Sequence, residues 1–235
     1  MTTFGESLQA LAFAQKPTRG APAYSRWVNR RLGRLLAAGA ASSGCSPTQL
    51  TVFGSSCTGS AIAVVAVVRP SPMGAAVVVV LLVIGYAFDA ADGQLARLQG
   101  RATLAGEWLD HVLDSGKLPL LHLAVAARWY RDDPDRGCRL LVPIGFAVLA
   151  SVMFAAYLLD GRSGRASLGS GSVVRSLLVA PTDYGLLCLA FVLWWWSPGF
   201  TVLYAGLFVA NAVFAVVALA VWYRQLVAVG SRSPR

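Results

Sequence analysis

Five of the eleven acidic residues in this 235-residue chain (Asp89, Asp92, Glu107, Asp110 and Asp114) crowd into one short stretch. Asp89 and Asp92 are three positions apart and Asp110 and Asp114 four apart, so on helices each pair shares one face. Four carboxylates gathered in one place repel and lose hydration, and they call for cations. Oxygen ligands without His or Cys beside them favour a hard ion, Mg2+ or Mn2+, over zinc. The competing structural role is helix capping or pairing with Arg97 and Arg101. Gly93 and Gly106 carry no side chain, so a helix backbone or a phosphate can come close. Arg97 offers a planar fork that suits a phosphate, or a snorkelling anchor. No Ser-His or Cys-His pair presents itself as a covalent nucleophile.

The elements that must position these residues are set by composition. The chain is 56% hydrophobic and 13% charged, with a net charge of +9. Soluble domains carry about 25% charged residues, so this chain cannot cover a soluble surface, and it is too apolar for intrinsic disorder. Arginines in short clusters on such a chain point to a bilayer rather than to nucleic acid. Six stretches approach the length of about 20 apolar residues that crosses the hydrocarbon core: 50–68, 73–95, 104–127, 140–159, 177–196 and 200–223. The expected fold is an all-α integral membrane protein of six transmembrane helices. Ahead of them, Arg26, Arg30, Arg31 and Arg34 interleave with Tyr24, Trp27, Val28, Leu32, Leu35 and Leu36 at helical spacing, which predicts a cytoplasmic interfacial amphipathic helix. Three regions follow: residues 1–40 with that helix, a membrane catalytic domain over 41–225, and a cytoplasmic tail over 226–235. Residues 1–15 lack the basic start of a signal peptide. Cys45, Cys57, Cys138 and Cys188 are scattered, with no C-x-x-C and no His at metal spacing, and read as small apolar residues in a reducing compartment.

With six alternating spans and a cytoplasmic N-terminus, fourteen of the twenty Lys and Arg residues fall on the inner side. Both termini are then cytoplasmic, and Trp194, Trp195 and Trp196 fall in an outer aromatic belt. The second and third spans become antiparallel neighbours, so that all four aspartates face one another just inside the cytoplasmic boundary.

Asp89-x2-Asp92-Gly93-x2-Ala96-Arg97-x8-Gly106-x3-Asp110-x3-Asp114 resembles the signature of the CDP-alcohol phosphotransferase (phosphatidyltransferase) family, matched at eight positions without a gap. The resemblance implies displacement of CMP from a CDP-linked donor, usually CDP-diacylglycerol, by an attacking alcohol. It implies that Asp89, Asp92 and Asp110 bind divalent metal, two ions of Mg2+ or Mn2+ in all. Asp114 would be the general base, close enough to contact a second ion. Gly93, Ala96, Arg97 and Gly106 would line the nucleotide and diphosphate site. Homodimers are implied as well. The family tends to carry Pro-Asn-x-x-Thr at the start of the first span, where this chain has Pro47-Thr48-Gln49-Leu50-Thr51; Thr51 is a nucleotide-site residue on this basis, and Thr48 departs from the pattern.

The acceptor is less marked. Lys117, on the face of Asp110 and Asp114, either binds a polar or phosphate group of the acceptor or neutralises Asp114. Arg162, Arg165 and Arg175 suit a phosphorylated acceptor such as inositol phosphate or glycerol phosphate, or serve the positive-inside rule alone. His111 is placed at the rim, and His122 as a hydrogen-bonded interior residue. The donor is a lipid or a soluble CDP-polyol. From another class, a cation transporter would use the acidic cluster as an ion path, but it would spread polar residues and helix breaks over several spans.

Overall fold

The computed structural model describes residues 3–13, 22–135, 137–162 and 182–230. They form α1 (Phe4–Phe13), a π-helical turn (Ser25–Asn29) running into α2 (Arg30–Ser42), α3 (Pro47–Val67), α4 (Pro72–Leu98) and α5 (Leu104–Asp132). A 3₁₀ turn (Gly137–Leu140) leads into α6 (Leu141–Arg162), and α7 (Tyr184–Ala190), a second 3₁₀ turn (Phe191–Leu193) and α8 (Ser197–Gly230) complete the described part. Local chemistry fixes where the long helices start. Ser46 and Gln49 form a reciprocal capping box ahead of Pro47 at the first position of α3. Ser71 caps α4 through the Gly74 N–H at 3.0 Å, and Thr103 caps α5 through the Gly106 N–H at 3.1 Å.

Four segments are long and apolar enough to cross a membrane: Pro47–Val67, Pro72–Leu98, Gly137–Leu159 and Ser197–Ala228. The expected third span lies in α5, whose apolar character is broken by Glu107, Asp110, Asp114 and Lys117. The expected fifth span lies partly outside the described residues; its described part is the short apolar stretch Tyr184–Leu193.

Packing among the described residues closes a ring. Helix α3 contacts α4 and α5, α5 contacts α6, α6 contacts α8, α8 contacts α7, and α7 with its 3₁₀ turn returns to α4. Helices α4 and α5 therefore face each other across the interior instead of packing side by side, with no Cα pair between them within 8 Å. The short connection joins them as the antiparallel pair that the sequence suggests, with a gap between their backbones. It is made by a Schellman turn: Gly100 at φ +62° lets Arg101 N–H reach the Ala96 carbonyl at 2.9 Å and its own N–H reach Arg97 at 3.3 Å.

On the other side of α4 the contact is backbone on backbone. A Cβ at Gly54 would lie 2.9 Å from the Phe88 Cβ, and one at Gly85 would lie 2.9 Å from the Gly54 carbonyl and strike the Thr58 hydroxyl. The core beyond is aromatic: Trp129, Phe146, Phe191, Phe200 and Tyr204 are buried together. His122 is 2% exposed there and shares a 2.6 Å hydrogen bond with the Tyr204 hydroxyl, as its interior placement led one to expect. Trp194 departs from the expected belt. It is buried in this core beside Gly74, while Trp195 and Trp196 are half exposed.

The N-terminal segment is built onto the ring. Asn29, Gly33, Ala37 and Ala38 are buried and α2 packs on α4, whereas Trp27, Val28, Leu32 and Leu35 are exposed. Asn29 Nδ2 donates to the Tyr86 carbonyl at 3.1 Å and Gln94 Nε2 to the Arg30 carbonyl at 3.3 Å. Because Gly85 leaves no room for a Cβ one turn before Asp89, Gly85→Ala lowers stability by about 1–3 kcal/mol, read from thermal unfolding in detergent. A variant as stable as the parent contradicts this packing.

Candidate active site

The last turns of α4 and the first turns of α5 carry the expected site residues toward the interior of the ring. Single carboxylate oxygens of Asp89, Asp110 and Asp114 all lie within 4.8 Å of one another. Lys117 sits between two of them, its ammonium 2.8 Å from Asp89 Oδ1 and 2.6 Å from Asp114 Oδ1. One lysine thus ties the two helices together at the point where their backbones stay apart. The side chains involved are 14% to 27% exposed, so these pairs are far better shielded than a surface salt bridge. Of the two roles open to Lys117 from sequence, the ion pair is present, and it engages Asp89 as well as Asp114.

Asp92 is not in the three-carboxylate group. It is 6% exposed and accepts a 2.6 Å hydrogen bond from the Thr51 hydroxyl of α3. Thr51 therefore orients a motif carboxylate. Arg97 folds back along α4, its Nη1 3.4 Å from where a Cβ at Gly93 would stand, so glycine there leaves the guanidinium room. Ala96 gives its carbonyl to the Schellman turn, and Gly106 gives its N–H to the Thr103 cap. Gly93, Ala96, Arg97 and Gly106 thus share the turn end of the α4–α5 pair. His111 lies at the rim, 3.8 Å from both Asp110 and Glu107. Arg162 ends α6 and its side chain lies outside the described residues, as do Arg165 and Arg175.

A cavity of about 120 Å³ opens beside the carboxylates. Thr58, Tyr86, Phe154 and Tyr184 line it together with Asp89, Asp114 and Lys117, so α3, α4, α5, α6 and α7 all contribute. Sequence reasoning missed Thr58, Tyr86, Phe154 and Tyr184, which no motif marks. Asp183 has a definite task. It caps α7 through the Gly185 N–H at 3.0 Å and accepts the Ser25 N–H at 2.9 Å, pinning the N-terminal segment to the site. Tyr24 stacks on Tyr86 at 6.2 Å between centroids, and Tyr86 meets Tyr184 edge-on at 5.1 Å. Gly185 admits the Tyr24 ring, into which any Cβ would project.

The donor set is all carboxylate oxygen, which fits a hard divalent ion, and the three groups lie together as a candidate metal site. Fold and site together define a helical membrane protein with an acidic centre. The sequence profile of the CDP-alcohol phosphatidyltransferase family matches residues 45–224. The chain belongs to that family and is a transferase. No curated protein sequence matches it.

Thr51→Val removes the hydroxyl bound to the buried Asp92 carboxylate and lowers stability by about 2 kcal/mol, whereas Thr51→Ser retains most of it. Thermal unfolding of the two variants checks this; equal loss in both contradicts an orienting hydrogen bond.

Proposed function

We propose that the chain transfers a phosphatidyl, or related phospho-alcohol, group from a CDP-linked donor to the hydroxyl of a polar acceptor and releases CMP. The observation that carries this reading is the convergence of Asp89, Asp110 and Asp114 within 4.8 Å, inside the stretch 45–224 that matches the phosphatidyltransferase family. The donor that suits a site reached from within membrane helices is CDP-diacylglycerol, which can enter sideways while the acceptor and CMP exchange with water. A soluble CDP-polyol in the same reaction class is the alternative. The acceptor is of the inositol phosphate or glycerol phosphate type, with Lys117, Arg162 and Arg165 as its cationic contacts.

Asp89, Asp92, Asp110 and Asp114 would hold Mg2+ or Mn2+, two ions in all. Such ions neutralise charge on the non-bridging phosphate oxygens. The residues do the rest. Gly93, Ala96, Arg97 and Gly106 seat the cytidine diphosphate, with Arg97 presenting its fork to the phosphates. Thr51 acts on this site through Asp92. Asp114 accepts the proton of the attacking hydroxyl. The acceptor oxygen bonds to the phosphorus that carries the donor alcohol, the bond from that phosphorus to the CMP oxygen breaks, and CMP leaves with the electron pair. Both substrates are present at once, and no enzyme-bound covalent intermediate is needed.

The surplus of inner-side arginines supports a cell-membrane protein with both termini and the site on the cytoplasmic face. The exposed Trp27 and Val28 of the π-helical turn and Leu32 and Leu35 of α2 support this segment as an interfacial helix against membrane lipid. Family resemblance supports a homodimer.

The test is CMP release with CDP-diacylglycerol, Mg2+ or Mn2+, and a panel of acceptors including glycerol 3-phosphate and inositol phosphate, with product identification. The parent releases CMP with at least one acceptor, and Asp114→Asn loses roughly 10²- to 10⁴-fold in rate. No CMP from any lipidic or soluble donor sinks the reading.

A further inference from the structure

We infer that Lys117 is a built-in stand-in for the divalent ion: its ammonium holds the site in its metal-free form and must withdraw when metal binds. The inference rests on the metal-binding reading of Asp89, Asp110 and Asp114. Lys117 Nζ occupies the space between Asp89 Oδ1 and Asp114 Oδ1, at 2.8 and 2.6 Å. A divalent ion bridging these carboxylates needs oxygen contacts of about 2.0–2.3 Å, and its charge repels an ammonium at such range. Lysine and metal therefore compete for the same two carboxylates.

The need for a stand-in is electrostatic. Three carboxylates in this cluster, on two helices whose backbones do not touch, would push α4 and α5 apart when no metal is bound. One ammonium between them offsets part of that repulsion and holds the Asp89 and Asp114 carboxylates together across the gap that the surrounding helices set.

The residue type fits withdrawal. Only two of the chain's twenty cations are lysines, Lys16 and Lys117; all others are arginine. An arginine at 117 would grip the carboxylates through a rigid planar fork, whereas an ammonium on a four-carbon stem is a point charge that swings away. It also has somewhere to go. The adjoining 120 Å³ cavity is lined by Lys117 itself and by Tyr184, whose buried hydroxyl pairs with the Cys188 thiol and keeps an oxygen lone pair to offer. That oxygen is an acceptor for an ammonium that has left Asp89 and Asp114.

Two measurements test this on the full chain in detergent. Mn2+ affinity, read by electron paramagnetic resonance, tightens about tenfold or more in Lys117→Met and does not tighten in Lys117→Arg. The second needs no variant. Reductive methylation of the parent, followed by mass spectrometry, gives severalfold more labelling of Lys117 relative to Lys16 when Mg2+ is added. Equal or weaker Mn2+ affinity in Lys117→Met, or Lys117 labelling that Mg2+ leaves unchanged, overturns the inference. If Mn2+ binds and CMP is released but affinity ignores Lys117, the stand-in role alone fails. If the parent binds no Mn2+, the metal-site reading fails and takes this inference with it.

Discussion

The structure turns on negative charge held across a gap. Helices α4 and α5 face each other with no Cα pair inside 8 Å, yet their carboxylates converge to within 4.8 Å. A close-packed helix pair would leave no space for a diphosphate, and a wider one would scatter the ligands. The gap persists because other elements, and not α4 and α5 themselves, set their distance. Backbone contact at Gly54 and Gly85 locks α4 to α3, α3 also packs on α5, and the ring through α6, α8 and α7 closes the far side. Lys117 then offsets part of the charge that this arrangement concentrates.

The same constraint explains why distant parts of the chain meet here. Asp183 caps α7 and also binds the Ser25 N–H, so one carboxylate fixes both the Tyr184 edge of the cavity and the N-terminal segment. Tyr24, Tyr86 and Tyr184 form an aromatic ladder from that segment to the cavity. They decide what shape of space lies beside the carboxylates, and Gly185 is the position that lets the ladder close.

Much of the site was legible in the sequence because it is local. Spacings of three and four place paired aspartates on helix faces, and the eight-position signature ties them to Gly93, Ala96, Arg97 and Gly106. The long apolar helices followed from composition in the same way. What stayed hidden depends on elements far apart in sequence. Asp92 stands outside the three-carboxylate group because Thr51, on a different helix, holds it. Lys117 reaches Asp89 as well as its near neighbour Asp114, which no spacing on one helix reveals. Trp194 reads as part of an aromatic belt until Gly74 provides a seat for it in the core. Helix α1 did leave a local signal, since Thr3 and Glu6 make a reciprocal capping box that the sequence displays as T-x-x-E.

If α4 and α5 supply one shared ion site, local oxidative cleavage will mark both helices at once. Fe2+ placed in the full-length protein with ascorbate and peroxide generates radicals that cut the backbone beside the bound ion. A shared site gives two clusters of cuts, around Asp89 and around Asp110 to Asp114, rising together and suppressed together by excess Mg2+. Cuts on only one helix, or cuts that Mg2+ does not suppress, would contradict a single site shared across the gap.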